Sequence, residues 1–252
     1  MAQAASPASP AQRGMLTRFG GVLGGLWRRR IVRWPLILLA LAGLAMGGLW
    51  FVFARDLPSA EALADYQPPL PTIVRDVDGM PVHSYARERR VQLDYSDFPP
   101  LLIRAYLAAE DRTFFEHGGL DYPGIAQAIV TNITTSGRPV GASTITQQVA
   151  KNILLTNEVS LSRKAREAIL AMRIEQALTK QQILTLYLNE IFLGRNAYGV
   201  QAAAQAYFGK DVGELTLPEM AYLAILPKGP SNYQPETREG RAIDRRNWAL
   251  GE

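Results

Sequence analysis

The sequence predicts a mainly α domain on a single N-terminal transmembrane helix, with a small β-containing stalk between them. Three observations carry this. An uncharged apolar run, PLILLALAGLAMGGLWFVFA, occupies Pro35 to Ala54. Behind it, strand signals are confined to the stretch before Pro99. From Pro99 onward, apolar residues recur at helical spacing, punctuated by Gly194, Gly199, Gly209 and Pro227.

The basic balance of the chain belongs to its first segment. Lys and Arg number 27 against 23 Asp and Glu, a formal charge of +4. Residues 1–34 hold six arginines (13, 18, 28, 29, 30 and 33) and no acid, so the remaining residues carry 21 basic against 23 acidic groups. Residues 1–14, rich in Ala, Pro, Ser and Gln, read as a disordered tail. The apolar run behind it matches the roughly 20 residues that cross a bilayer core of about 30 Å. It exceeds the h-region of about 7–15 residues in a signal peptide, and Trp34 and Trp50 sit near its ends. It is therefore read as an uncleaved signal anchor. The arginine cluster places the N-terminus in the cytoplasm and the remainder outside. With a slightly acidic external body, nucleic acid is excluded as a partner. Absence of cysteine removes disulfides, thiolate nucleophiles and zinc–thiolate sites, and two histidines, His83 and His117, make no metal cluster.

Element by element, Leu57–Tyr66 reads as a short helix, ended by Gln67-Pro68-Pro69-Leu70-Pro71. Thr72–Asp76 and Pro81–Tyr85 read as strands about an Asp78-Gly79 turn, and Val91–Tyr95 as a further strand. Helices are predicted near 99–110, 121–134, 143–155, 161–178, 180–192, 197–206 and 217–226. In the third, Ile145, Val149 and Ile153 share one face, while Ser143 or Thr144, Gln147, Gln148 and Lys151 share another.

The chemistry these residues can do is narrow. Gly-x-Ser-x-Gly, a P-loop, Ser-x-x-Lys and Lys-Thr-Gly are all missing, so a nucleophilic serine centre is not expected. Glu110 and Asp111 end a helix beside Phe114 and Phe115. A carboxylate there is either partly desolvated and suited to general-base work, or simply paired with Arg112 or His117. Gly141-Ala142-Ser143-Thr144 precedes a helix whose N–H groups suit an anion, with Lys151 two turns on. The bland alternative is a serine N-cap on a solvated face. Arg163, Lys164 and Glu167 taken alone form a surface ion-pair stripe, in the cation-before-acid order that stabilises a helix less.

Taken together, these stretches resemble the glycosyltransferase domain of class A penicillin-binding proteins (glycosyltransferase family 51). The resemblance runs through Glu110-Asp111-x-x-Phe114-x-x-His117-x-Gly119 and Gly141-x-Ser143-Thr144-x-x-Gln147-Gln148-x-x-Lys151-Asn152. It continues in Arg163-Lys164-x-x-Glu167, Ile183-Leu184-x-x-Tyr187-Leu188-Asn189, Gly199-x-x-x-Ala203-Ala204-x-x-Tyr207-Phe208-Gly209-Lys210 and Leu226-Pro227 through Pro235. Motif spacing is similar to the 1A type.

The resemblance implies a lysozyme-like helical domain with a membrane-facing apolar jaw, at the bacterial cytoplasmic membrane with its catalytic domain in the periplasm. It implies polymerisation of lipid II into β-1,4-linked glycan strands. Glu110 would deprotonate the acceptor 4-hydroxyl, undecaprenyl pyrophosphate would leave, and the anomeric centre would invert. Glu167 matches a second essential glutamate. Lys151, Arg163 and Lys164 match phosphate contacts, and Asp111, Phe114, His117, Ser143, Thr144, Gln147, Gln148 and Asn152 match other substrate-binding positions. No cofactor is required by these motifs, and a divalent cation, magnesium or manganese, is expected only near Glu167. Lipid II, the growing strand, the bilayer and other cell-wall synthesis proteins are the implied partners.

By the resemblance, residues 1–33 form the tail, 34–54 the anchor, 55–95 the stalk, 96–245 the glycosyltransferase domain and 246–252 the truncated start of a following region. Val159 stands where many members carry arginine, Ala142 replaces a glycine, and Thr185 replaces a frequent glutamate. The chain stops at Glu252 inside an apparently helical stretch, Ala242–Leu250, and without the family's transpeptidase domain. A fragment or truncated reading frame is the expectation. A weakened anchor or scaffold, and a lysozyme-like hydrolase, are the competing readings.

Overall fold

A computed structural model describes residues 30–55, 57–60, 63, 66, 72–78, 81–85, 89–135, 141–155 and 160–252. The basic tail up to Trp27-Arg28-Arg29, most of the expected 57–66 helix, the tip of the 72–85 hairpin and Val159 lie outside the described residues. The chain divides into two compact units, Met1–Asp56 and Leu57–Glu252.

In the first unit, α1 runs from Arg30 to Ala54. Its Arg33–Ala54 portion is long and apolar enough to cross a membrane, and none of it is buried in protein. Pro35 lies inside the helix, within its first two turns.

The second unit begins with a small antiparallel hairpin, β1 (Thr72–Arg75) and β2 (Pro81–Tyr85), paired from Thr72–Tyr85 to Arg75–Pro81. The strand expected at Val91–Tyr95 does not form. Instead β3 (Arg89–Arg90) pairs in parallel with a distant two-residue strand, and Tyr95–Asp97 is a 3₁₀ turn. The cause is tertiary. Asn189 clasps the 93 backbone from both sides, accepting from Leu93 N–H at 3.1 Å and donating to Leu93 C=O at 2.9 Å. Glu190 accepts from Arg90 and Gln92.

The helices follow: α2 (Pro100–Glu110), α3 (Tyr122–Thr134), α4 (Ile145–Val149), α5 (Leu161–Ala177) and α6 (Lys180–Glu190). Each start is chemically marked. Pro100 is pre-set for a first turn. Asp121, Thr144, Ser160 and Thr179 accept side-chain caps from the N–H three residues on. The single helix expected over 143–155 is broken in two. Thr144 caps rather than joins it, and from Ala150 to Leu154 the ladder widens to a π-helical turn. Such turns concentrate at functional sites, and this one carries Lys151.

Next come β4 (Ala197–Tyr198), the partner of β3, then α7 (Val200–Phe208), α8 (Leu217–Ile225) and α9 (Pro235–Gly251). The helix expected to begin at 197 thus starts three residues later, because Gly199 adopts φ +82° and ends the strand. A Cβ there would lie 2.4 Å from the Asn189 carbonyl oxygen. α9, of which only the 242–250 part was expected as helical, is kinked at Arg238 and continues to Gly251. This unit is mainly α.

α4 lies between α5 and α6, and α8 packs against α2 and α9. The core so enclosed contains Leu102, Tyr106, Ile145, Leu170, Ile174, Ile183, Leu184, Leu188 and Leu223, all fully buried. Each such aliphatic side chain contributes about 1.5–3 kcal/mol relative to exposure. That rigid packing fixes the C-terminal end of α2 beside the N-terminal end of α4, and the site forms there.

Candidate functional site

The α2 C-terminus and the α4 N-terminus are joined by a buried carboxylate. Asp111 Oδ2 accepts from the Ile145 N–H at 2.9 Å, and His117 Nε2 donates to Asp111 Oδ1 at 3.0 Å. His117 Nδ1 in turn accepts from Gly119 N–H at 3.2 Å, which leaves the ring proton on Nε2. Gly119 makes the turn tight enough, with φ +93° and room only for hydrogen, since a Cβ would sit 2.8 Å from Ala171 O. Thr144 completes the join by donating to Gly119 C=O at 2.7 Å while capping α4. Gln147 accepts from Thr144 N–H at 3.0 Å.

Several expectations are corrected by this arrangement. The N-terminus of α4 is not an open anion site, because Asp111 and Thr144 already engage the Ile145 and Gln147 N–H groups. Asp111, His117 and Thr144 spend their polar atoms inside the protein, and Gln147 spends its side-chain carbonyl on the Thr144 N–H. Phe114 is wholly buried, beneath the Lys180 ammonium at 4.3 Å from its ring centroid. Asp111, Phe114, His117 and Thr144 do not line the cationic wall, whereas Gln147 does. Asn152 is exposed on the π turn and does not bound the cleft described next.

That cleft, about 400 Å³, is bounded by Glu110, Ser143, Gln147, Gln148, Lys151, Arg163, Lys164, Glu167, Lys228 and Arg245. Glu110 sits at its edge and is also a wall of a second cavity of about 540 Å³, lined by Asp111, Arg112, Thr113, Asp121 and Trp248 among others. Gln148 donates to Glu110 Oε2 at 2.8 Å. Burial, the largest influence, pushes the Glu110 carboxyl above its ordinary value, and Asp111 adds to the shift. The Gln148 hydrogen bond and the charges of Lys228 and Arg245 oppose it. The result is a desolvated carboxyl between two spaces, held by one amide.

The 163–167 cluster is not a surface stripe. Glu167 is 1% exposed, and each of its oxygens accepts from a cation: Oε1 from Arg163, Oε2 from Lys164 at 2.8 Å. Lys164 also donates to Ser143 Oγ at 2.5 Å, which ties α5 to the segment before α4. A buried anion that fixes two cations at a cleft wall positions them for a third, external anion. It is not a metal donor set. Both oxygens already face cations, and no group of three metal-binding side chains occurs among the described residues. The divalent cation expected near Glu167 therefore has no site made by these side chains.

Lys228, Arg245 and Trp248 escaped the sequence reading. Lys228 ends a three-residue 3₁₀ turn after Leu226-Pro227, too short for a periodic pattern, and Arg245 is one of several arginines on α9, so no local pattern distinguishes either.

A family model described as Transglycosylase matches residues 78–252. Penicillin-binding protein 1A of Rickettsia felis is 50% identical over 201 residues, covering 79% of this chain and 25% of that protein. The protein of the same name from Neisseria cinerea is 50% identical over 194 residues, covering 77% and 24%. The chain thus spans about a quarter of the length of these relatives. A crystal structure of penicillin-binding protein 1A from Haemophilus influenzae is 29% identical, with a TM-score of 0.38, covering 74% of this chain and 18% of that one.

Proposed function

The chain belongs to the transglycosylase family, and on that premise we propose that it is a peptidoglycan glycosyltransferase that extends glycan strands from lipid II. The observation that carries the reading is the place of Glu110, the shared wall of a cationic cleft and a neighbouring cavity. A transferase needs a base between two substrates, and a leaving group whose developing charge is met by preorganised cations.

In this mechanism the acceptor sugar enters the cavity lined by Asp121 and Trp248, and its 4-hydroxyl gives its proton to Glu110. That oxygen attacks the anomeric carbon of the donor held in the cationic cleft, and the α bond to undecaprenyl pyrophosphate breaks with inversion. Lys151, Arg163 and Lys164 receive the charge of the departing diphosphate. Glu167 keeps Arg163 and Lys164 in place and does not touch the substrate. Gln148 orients the base, and Asp111 with His117 holds the α2 and α4 ends that carry base and amide. No step calls for a bound cofactor.

Lipid substrates demand a membrane, and α1 supplies the anchor. The external unit also presents an apolar stripe on α3, where Tyr122, Ile129 and Ile133 are exposed. Residues at this spacing share one helix face, and this face would rest at the bilayer surface where the lipid tails emerge. With the N-terminal arginines cytoplasmic, catalysis falls on the outer side of the cytoplasmic membrane, where other cell-wall synthesis proteins work.

Product analysis tests the reading. Detergent-solubilised protein given lipid II should yield long β-1,4 strands and one undecaprenyl pyrophosphate for each disaccharide added. Release of soluble fragments from purified sacculi, with lipid II untouched, would mean a hydrolase instead.

A further inference from the structure

Glu110 and Gln148 meet at the edge of the cleft, and a closed ring of contacts runs behind them. Asp111, the neighbour of Glu110, accepts from His117 Nε2 at 3.0 Å. The His117 carbonyl oxygen accepts from Lys180 Nζ at 2.6 Å, and the same ammonium donates to Glu175 Oε1 at 2.7 Å. Glu175 Oε1 also accepts from the Thr146 hydroxyl at 2.6 Å. Thr146 lies two residues before Gln148, whose amide returns to Glu110 Oε2 at 2.8 Å. In this order of contacts Lys180 stands opposite the base. It joins α6 to α5, to the 111–119 segment and, through Glu175, to α4.

Neither charge serves its own helix. Lys180 is the first residue of α6, where the helix dipole disfavours a cation, and Glu175 lies in the last turn of α5, where it disfavours an anion. An ion pair across the α5–α6 connection offsets part of that penalty, but it requires neither the His117 carbonyl nor the Phe114 ring, 4.3 Å from the ammonium. Those two contacts fix the 111–119 segment. The partners have little freedom: Thr146 is fully buried, the Glu175 side chain is 9% exposed, and a Cβ on Gly119 would approach Glu175 Cγ to 3.1 Å. The first turn of α4 is thereby held at two adjacent points, the Ile145 N–H by Asp111 and the Thr146 hydroxyl by Glu175. Both ties lead to Lys180, one through His117 and one through Glu175.

We propose that Lys180, with Glu175, is a positioning residue for the base: it sets where α4 carries Gln148, and thereby where Glu110 points, without touching substrate. The catalytic consequence rests on the glycosyl-transfer reading, whereas the mechanical coupling of Lys180 to the start of α4 does not. A base held by one amide depends on the place of that amide, and a displacement of about 1 Å at a reacting group costs roughly a hundredfold in rate. Lys180 bounds neither the cationic cleft nor the second cavity, so its removal leaves the substrate-facing side chains in place. The effect of its loss therefore falls on kcat rather than KM.

Two measurements on the full-length chain in detergent test this separately. In amide hydrogen exchange, Lys180→Met should speed exchange at Ile145 by about tenfold or more, with the α8 amides at the wild-type rate. In lipid II polymerisation the same variant should lose roughly tenfold or more in kcat, with KM within about twofold of the wild type. In a Gln148→Ala background, Lys180→Met should cost no more than about twofold further, because its route to Glu110 is already cut. Glu175→Gln, which keeps an acceptor for Thr146 and removes only the charge, should give the same pattern and serves where Lys180→Met fails to fold. Unchanged exchange at Ile145, or losses that multiply in the double variant, overturns the proposal. Faster exchange in the variant of a protein whose wild type forms no glycan would refute the transferase reading and leave the coupling standing.

Discussion

Glu110 is costly to the fold, and the cost is the source of its use. Burial raises its carboxyl above the ordinary glutamate value of 4.5. A carboxyl with a folded pKa above its unfolded one favours the fold fully below the unfolded value, and that contribution is lost as pH rises through the folded value. At neutral pH the ionised group therefore opposes folding. Glu110→Gln should melt at a higher temperature than the wild type at pH 7, and the advantage should vanish as pH falls below the unfolded value. Equal melting temperatures at both pH values would show that the carboxyl is not desolvated. The same shift requires the acid limb of kcat/KM to lie above the ordinary glutamate range. Of the residues expected from the sequence to bind substrate, Ser143, Gln147, Gln148, Lys151, Arg163 and Lys164 do bound the cleft, because their pattern is local to two helix starts. Asp111, His117 and Thr144 were legible as important but not as internally bonded, since the sequence does not show whether a polar atom is answered internally.

Among the elements, the join between α2 and α4 decides whether base and amide meet. Asp111→Ala would leave the Ile145 N–H and His117 Nε2 unanswered in a buried place, at about 1–3 kcal/mol. For a chain of this size that is a fall in Tm of a few degrees, roughly 2–4 °C per kcal/mol. An unchanged Tm would mean that the join carries no load. The exposed α3 face makes a different demand: Ile133→Asp should lower strand synthesis in bilayers several-fold more than in detergent, because its cost is paid only where lipid meets the face. Equal loss in both media would place its effect in the fold. Helix positions were readable because caps, Pro100 and apolar spacing act within a few residues. β3 and β4 were not, because they pair over about a hundred positions, held by Asn189 and Glu190.

For the whole molecule, charge and apolar length separate address from chemistry. Six arginines precede the apolar run, and the rest of the chain, with 21 basic and 23 acidic groups, concentrates a few cations around one carboxylate. Fold class and the apolar N-terminal helix were legible because composition changes sharply along the chain. The cationic wall formed by Lys228 and Arg245 was not, since it assembles only when α8 packs on α2 and α9. The proposed function rests on Glu110 as the base of a glycosyl transfer. The most direct measurement is the rate of lipid II polymerisation by Glu110→Gln beside wild type in the same bilayer. The account predicts a loss of roughly 10²–10⁴-fold with lipid II binding retained. Polymer made at the wild-type rate by the variant would contradict it.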